Sequence, residues 1–238
     1  MHKTLVVIPA YNEEESLPGV LKELHEQVPG FDVLVVSDGS DDATADVARA
    51  GSARVLELPY NLGVGAALRV AFRYAAAGGY ERVVQVDADG QHDPLVLEML
   101  LAPIDDGADL VIGSRFAAGG AVTYEVSATR RRGMALLRRL VRMLTGQRFT
   151  DTTSGFRAFS QPIVTFFATS YPSEYMGDTV EALVEACNAG FTVTEVGVNM
   201  RGRGGGAPTT RGFRLFYYYV RLVVVLVASA GRTPRRQG

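Results

Sequence analysis

The stretch that most constrains the fold is 83–94, where a short apolar run leads directly into acidic and amide side chains. The valine-rich segment 83–86 is typical of a buried β-strand, and Asp87, Asp89 and Gln91 follow its carboxyl end. Open α/β sheets bind ligands at that end of their strands. Carboxylate and amide oxygens suit Mg²⁺ or Mn²⁺ holding substrate phosphates. We therefore predict a metal site here, and the alternative is a surface turn, since Asp-Gly and Asp-Pro pairs are common in loops.

The rest of the N-terminal half repeats this pattern of apolar run, polar turn and helical segment. Strands are predicted at 5–8, 32–36, 53–58, 83–86 and 109–113, and helices at 16–27, 43–50, 65–77 and 94–104. Such alternation with short links predicts an α/β fold, in which a parallel open sheet is wound through right-handed crossovers. The strand ends would share one edge of the sheet, carrying Glu13, Asp38, Asp87, Asp89 and Arg115. The turn at 9–13 has no glycine, which excludes the usual dinucleotide-binding cradle.

Composition narrows the functional class. The 238 residues can form one α/β domain, and the 47% hydrophobic and 21% charged shares exclude wholesale disorder. A net charge of -2 gives no general attraction to nucleic acid. The single cysteine, Cys187, excludes an intrachain disulfide and fits a reducing cytosol. The first apolar run is too short for a signal peptide, so we expect a cytoplasmic protein.

The second half is predicted to be less regular. A basic amphipathic helix is expected at 128–146, a polar loop at 151–157, a helix at 178–189, a strand at 191–198 and a mobile glycine-rich loop at 200–206. We divide the chain into a catalytic domain, 1–212, and an apolar helix with a basic tail, 213–238. The apolar segment is shorter than the roughly 20 residues that span a bilayer. It is interpreted as a membrane-interface helix, or as a helix packed on its own domain or on a second subunit.

With these residues in view, the chain resembles the family 2 inverting glycosyltransferases of the GT-A fold, and among them the dolichol- or polyprenyl-phosphate sugar synthases. The fold expected from this resemblance is a Rossmann-like open sheet with helices on both faces. The matching motifs occur in family order and are Val7-Ile-Pro-Ala-Tyr-Asn-Glu13, Ser37-Asp-Gly-Ser-Asp-Asp-Ala-Thr44, Asn61-Leu-Gly-Val-Gly65, Asp87-Ala-Asp-Gly-Gln-His92 and Asp151-Thr-Thr-Ser-Gly-Phe-Arg157.

The resemblance also implies roles for individual residues. The nucleoside of a nucleotide-sugar donor would be contacted by Pro9, Tyr11, Glu13 and Asp38. Mg²⁺ or Mn²⁺ would be held against the diphosphate by Asp87, Asp89 and Gln91, and the loop arginines Arg201 and Arg203 would fold over the phosphates. The acceptor phosphate or the sugar would be met by Arg115, Ser154 and Arg157. The arginine-rich helix, including Arg131, is interpreted as a contact for lipid phosphate or an anionic membrane rather than as a solvated helix face.

The acceptor decides which residues must act in catalysis. A phosphate acceptor is already ionised and needs positioning, whereas a hydroxyl acceptor needs a general base, for which Asp178 is the candidate and a helix N-cap the alternative role. We predict hexose transfer from a UDP- or GDP-sugar to polyprenyl phosphate at the inner face of the membrane, with Asp89, Asp178 and Arg203 as catalytic candidates. The alternatives are the same donor chemistry on a soluble hydroxyl acceptor, and a non-catalytic nucleotide-sugar-binding partner of a membrane protein.

Overall fold

The protein is built around one large sheet, seen in a computed structural model that describes residues 2–122, 128–172 and 178–201. The strands are β1 (Thr4–Ala10), β2 (Asp32–Asp38), β3 (Arg54–Leu58), β4 (Arg82–Gln85), β5 (Leu110–Ser114), β6 (Ala121–Val122), β7 (Arg157–Ser160), β8 (Val193–Gly197) and β9 (Asn199–Met200). Seven of them form a sheet in the order β3-β2-β1-β4-β7-β5-β8, while β6 and β9 pair separately. The predicted open α/β sheet is confirmed.

Helices cover both faces of the large sheet, as predicted. They are α1 (Leu17–Gln27), α2 (Thr44–Ala50), α3 (Val64–Ala77), α4 (Leu97–Asp105), α5 (Ala128–Thr145), α6 (Gln161–Ser170) and α7 (Asp178–Asn188). Leu5 and Val7 of β1 pack in a core with α3, α5, α6 and α7, whereas Val6 and Ile8 pack in a second core with α1, α2 and α4. Because both faces are covered, β1 is apolar along most of its length.

The sheet is parallel except at β7, which corrects the sequence prediction. We predicted an all-parallel sheet and a polar loop at 151–157, but Arg157 opens a strand that runs antiparallel between β4 and β5. This strand, Arg-Ala-Phe-Ser, contains no β-branched residue, whereas the equally short β4 contains Val83 and Val84, so its sequence does not mark it as a strand. Its amino end, and the loop before it, therefore lie at the carboxyl edge of the parallel strands.

Smaller differences between the predicted and the observed secondary structure concern single residues and one helix. Ser16 precedes α1, but its hydroxyl donates to Glu13 instead of capping the helix. The helix α6 was not anticipated, although Pro162 stands in its first turn, where proline is favoured. Met200, expected in a mobile loop, belongs to β9. The rest of that loop and the predicted helix at 213–238 lie outside the described residues. Within the described ranges, none of the helices has both the length and the apolar character that a bilayer span requires.

Gly39, directly after β2, is required by a close backbone approach. Its φ of 65° lies in the left-handed region, and a Cβ at this position would overlap the backbone of Tyr60 and Asn61. Gly79 has the same φ, but a Cβ there would meet nothing within 4 Å. The two positions therefore separate the conformational cost of a side chain from its steric cost.

We predict that Gly79→Ala lowers the free energy of unfolding by about 1–2 kcal/mol, the cost of a left-handed alanine. Gly39→Ala should lower it by more than about 3 kcal/mol, because overlap with the backbone at residues 60–61 is added to that cost. Urea unfolding of both variants and the parent measures the difference. Equal losses in the two variants would contradict the close packing assigned to Gly39.

Candidate active site

The carboxyl ends of β1, β2 and β4 surround a cavity of about 170 Å³. Each strand ends in a polar turn, and parallel pairing brings these turns side by side. The lining residues are Pro9, Ala10, Tyr11, Glu13, Asp38, Val64, Asp87, Ala88 and Asp89. The structure thus brings together six residues that the sequence analysis assigned to the donor or the metal: Pro9, Tyr11, Glu13, Asp38, Asp87 and Asp89.

Asp87 is positioned by a buried histidine. Its backbone N–H donates to Nδ1 of His92 over 3.0 Å, so the neutral ring carries its proton on Nε2, which lies 3.6 Å from a carboxylate oxygen of Asp87. The ring stacks on Phe156, with centroids 4.4 Å apart. His92 therefore fixes the turn after β4 while Asp87 remains on the cavity wall.

Asp89 and Gln91 continue the same turn. Asp89 is buried, and one carboxylate oxygen accepts from the backbone N–H of Gln91 over 3.1 Å. The side-chain amide of Gln91 donates to the carbonyl of Arg201 over 3.3 Å. This turn is thus tied to the start of the predicted phosphate loop.

The donor set fits a divalent metal that shares its coordination with substrate. Asp87 and Asp89 both line the cavity, but the described residues contain no group of three or more His, Cys, Asp or Glu side chains able to hold a metal by themselves. Mg²⁺ is commonly bound in this way, by one or two carboxylates together with phosphate oxygens and water. Two carboxylates at the edge of an open cavity match that arrangement.

The residues predicted to contact the nucleoside differ in whether their side chains already form hydrogen bonds within the protein. Both oxygens of the Asp38 carboxylate accept backbone N–H groups, from Leu62 over 2.8 Å and from Gly63 over 2.7 Å. Asp38 therefore holds the segment that leads into α3, and it lines the cavity from this fixed position. Glu13 accepts from the hydroxyl of Ser16. Tyr11 is 44% exposed and accessible to a ligand.

Arg115 is held by a buried carboxylate. Its Nε donates to Asp151 over 2.6 Å and its Nη2 donates to the other oxygen over 2.9 Å. Burial alone would raise the pKa of Asp151, but the hydrogen bonds from Arg115 and the attraction of its charge lower it below the usual value. Arg115 and Asp151 are therefore a fixed ion pair next to the end of β5.

Two further residues assigned to the acceptor are Ser154, within the loop at 151–156, and Arg157, directly after it. Ser154 is buried, and its hydroxyl accepts from the backbone N–H of Phe156. Arg157 is completely buried, and its guanidinium donates to the carbonyls of Ser154 over 2.9 Å and Thr152 over 3.5 Å. In this structure neither side chain reaches the cavity. Arg203 and the side chain of Arg131 lie outside the described part of the chain.

Asp178 begins α7 and is only 2% exposed. Its carboxylate accepts from the Tyr171 hydroxyl over 3.4 Å. Burial raises its pKa to about 6, and the positive charge of Arg157 opposes that shift. Asp178 is not among the residues that line the cavity, so its place as a general base stays a prediction that this conformation does not favour.

Arg201, expected to contact the phosphates, is bound to two carboxylates. Its Nη1 donates to Glu23 over 2.6 Å and its Nη2 lies 2.9 Å from Asp93. Its backbone N–H donates to the carbonyl of Gln91 over 3.0 Å. These contacts join the end of the described chain to α1 and to the turn after β4.

Several residues that organise the site have no role predicted from the sequence. His92 was part of a recognised motif, and its position five residues after Asp87 was the available signal. Asp151 was also in a motif, but no local pattern pairs it with Arg115, which lies 36 positions earlier. Glu23 and Asp93 carry no signal, since they are acidic residues at positions typical of a solvated surface.

Comparison with known proteins identifies the family. The sequence profile of glycosyl transferase family 2 matches residues 5–166, which is more than half of the chain. The chain belongs to this family. The transferase is 35% identical, over 217 residues, to a polyprenol monophosphomannose synthase of Mycolicibacterium smegmatis, and the match covers 84% of this chain and 78% of that protein.

Other relatives carry related names. An undecaprenyl-phosphate mannosyltransferase of Micrococcus luteus is 40% identical over 163 residues, which cover 66% of each chain. Among solved structures, glucosyl-3-phosphoglycerate synthase of Mycobacterium tuberculosis, in complex with Mn²⁺, UDP and phosphoglyceric acid, superposes with a TM-score of 0.72 at 24% identity. That match covers 98% of the transferase and 80% of the other chain, and at this identity it supports the GT-A fold alone.

The raised pKa of Asp178 predicts a pH-dependent contribution to stability. Because the folded pKa of about 6 lies above the ordinary value, protonation favours the folded state, so the contribution is complete below about pH 4 and lost as pH rises through 6. Relative to Asp178→Asn, the parent should lose roughly 3 kcal/mol between these limits. Urea unfolding across pH 4–7 measures this, and parallel profiles for the two proteins would contradict the assignment.

Proposed function

We propose that this family 2 glycosyltransferase moves a hexose, with inversion, from a UDP- or GDP-sugar to polyprenyl phosphate. The observation that carries the proposal is the placement of Asp87 and Asp89 on one cavity wall at the carboxyl end of β4. The names of the relatives support the acceptor class, since the two bacterial proteins described above are a polyprenol monophosphomannose synthase and an undecaprenyl-phosphate mannosyltransferase.

In this proposal Pro9 and Tyr11 bind the nucleoside, and Asp87 and Asp89 face its diphosphate through a shared Mg²⁺ or Mn²⁺. When bound, the metal would stabilise the negative charge that develops on the departing nucleoside diphosphate. His92 holds Asp87 at the cavity wall through the contacts already described. Gln91 and Arg201 hydrogen-bond to each other through their backbones and the Gln91 side chain, so donor binding at this turn is coupled to the position of Arg201.

The acceptor is proposed to be a phosphate because that group needs positioning more than deprotonation. A phosphate monoester is ionised near neutral pH and can attack the sugar without a general base. Asp178, the base required for a hydroxyl acceptor, is buried and does not line the cavity. This arrangement favours the phosphate acceptor over the hydroxyl alternative.

Helix α5 supplies a surface suited to an anionic membrane. Residues 128–145 contain six arginines and no acidic residue, and Arg132, Arg139 and Arg142 are exposed. Leu136 and Met143, 55% and 73% exposed, lie on the same side of the helix. A basic helix with exposed apolar side chains binds at the lipid headgroup layer. We propose that this face brings the enzyme to the membrane that holds its acceptor.

Asp89→Asn should abolish transfer of label from UDP- or GDP-sugar into solvent-extractable polyprenyl phosphate. The expected loss is about 100-fold or more, because one of the two carboxylates proposed to hold the metal becomes neutral. Asp106→Asn, at the exposed end of α4, is the matched control and should retain the parent activity. Label that reaches the lipid equally well in both variants would refute the assigned role of Asp89. If the parent transfers no label to lipid but still binds the donor, the polyprenyl acceptor is wrong.

Neutralising the exposed face of α5 should weaken membrane binding. The triple change of Arg132, Arg139 and Arg142 to glutamine removes three charges, each contributing about 1 kcal/mol near an anionic surface, so binding should fall by about 100-fold. The control removes three charges elsewhere, from Lys22, Arg49 and Arg54, and should change binding far less. Co-sedimentation with phosphatidylglycerol vesicles measures both. Equal effects would show that only net charge matters and that α5 is not the contact surface.

A further inference from the structure

The loop at 151–156, here called the floor loop, contacts the catalytic region at three points. Asp151 binds Arg115 through two hydrogen bonds. Gly155 lies so close to Asp87 that a Cβ added to it would be 3.3 and 3.4 Å from the two carboxylate oxygens. Phe156 stacks on His92. The floor loop therefore packs against the turn that carries Asp87, one of the two carboxylates on the cavity wall.

The floor loop is held at both ends. At its start, the carboxylate of Glu195 in β8 accepts the backbone N–H groups of Thr150 and Asp151, over 2.7 Å and 2.9 Å. At its end, Arg157 reaches back from β7 and donates to the carbonyls of Ser154 and Thr152. These two carbonyls lie on either side of Thr153, and that of Ser154 immediately precedes Gly155, so Arg157 binds the part of the loop next to Asp87.

Burying the charged side chain of Arg157 costs desolvation free energy, so filling space in the core does not account for an arginine at this position. It is completely buried, and its Nη1 has no hydrogen-bond partner among the described residues. Burial lowers its pKa, while the carboxylates of Asp178 and Asp151 act in the opposite direction. Replacing a buried ion pair by apolar side chains is often neutral or stabilising. Stability alone therefore does not explain why this arginine stands here.

We propose that Arg157 is a positioning residue that holds the floor loop against Asp87 and so fixes the metal- and diphosphate-binding wall of the cavity. The proposal rests on the proposed function, and it replaces the expectation that Arg157 contacts the acceptor. The guanidinium geometry matters here, because two carbonyls of one loop are bound by two nitrogens of one rigid group.

The test uses variants that separate the positioning of the loop by Arg157 from the balancing of buried charge. Arg157→Met removes the positive charge that opposes the burial of Asp178 and is expected to be unstable. The informative variant is therefore Arg157→Met combined with Asp178→Asn, which removes both charges and nearly keeps the volume. Asp178→Asn alone is its reference, and Arg157→Lys keeps the charge without the two-nitrogen geometry. Glu195→Gln is the matched change at the other end of the loop.

Three measurements are made on each folded variant. Hydrogen exchange of the amides of residues 152–156 reports the loop directly, Mn²⁺ binding by electron paramagnetic resonance reports the cavity wall, and steady-state transfer separates kcat from KM. Relative to Asp178→Asn, the double variant should melt at a similar temperature. Its loop amides should exchange at least 10-fold faster, and its Mn²⁺ affinity should fall about 10–100-fold, the range for residues that orient metal ligands. Arg157→Lys should have amide exchange rates and a Mn²⁺ affinity between those of Asp178→Asn and those of the double variant.

Glu195→Gln should instead increase exchange at residues 150–151. Parent-like exchange and Mn²⁺ affinity in the double variant would overturn the proposal, since Arg157 would then serve only to balance Asp178. A parent enzyme that binds Mn²⁺ and a nucleoside diphosphate but transfers no sugar to polyprenyl phosphate would refute the proposed acceptor and leave the Arg157 result standing. If the parent binds no Mn²⁺, the proposed metal site fails, and loop exchange alone decides the role of Arg157.

Discussion

The insertion of β7 between β4 and β5 is the constraint on which the site depends. Neighbouring strands lie about 4.8 Å apart, so one inserted strand places the ends of β4 and β5 about 9.6 Å apart. Because β7 is antiparallel, the floor loop that precedes it enters this gap at the carboxyl edge. It separates the turn that carries Asp87 from the strand end that carries Arg115, and contacts both. In an all-parallel sheet the loop at this position would follow a strand, whereas the floor loop precedes one.

Much of the fold could be predicted because the parallel strands have a recognisable sequence pattern. Strands covered on both faces are apolar along their length, as in β1, and their ends are marked by turns rich in polar residues. The convergence of Tyr11, Asp38 and Asp87 on one cavity then follows from parallel pairing alone. The strand β7 could not be found in this way, because its sequence, Arg-Ala-Phe-Ser, contains no β-branched residue, whereas the equally short β4 contains Val83 and Val84.

The partners of the arginines could not be read from the sequence. A guanidinium binds carboxylate, phosphate and carbonyl oxygens with similar geometry, so residue type alone does not select among them. A family motif indicates that Arg157 belongs to the site region, but only the structure shows that it faces the carbonyls of Thr152 and Ser154. Likewise, Arg115 finds its carboxylate in Asp151, which is distant in sequence and adjacent only because β7 pairs with β5.

The cost of releasing each arginine distinguishes their proposed roles. The Arg115 and Asp151 side chains are 11% and 0% exposed, so removing Arg115 would leave a buried carboxylate without its counter-charge, which is strongly unfavourable. Arg201 is 39% exposed and its partners Glu23 and Asp93 are 42% and 24% exposed, so these ion pairs are accessible to water and contribute less. A diphosphate offers Arg201 charge-assisted hydrogen bonds like those it would give up, so the exchange costs little free energy. Releasing Arg201 from its partners thus costs less than releasing Arg115, which agrees with the proposal that Arg201 contacts the donor phosphates.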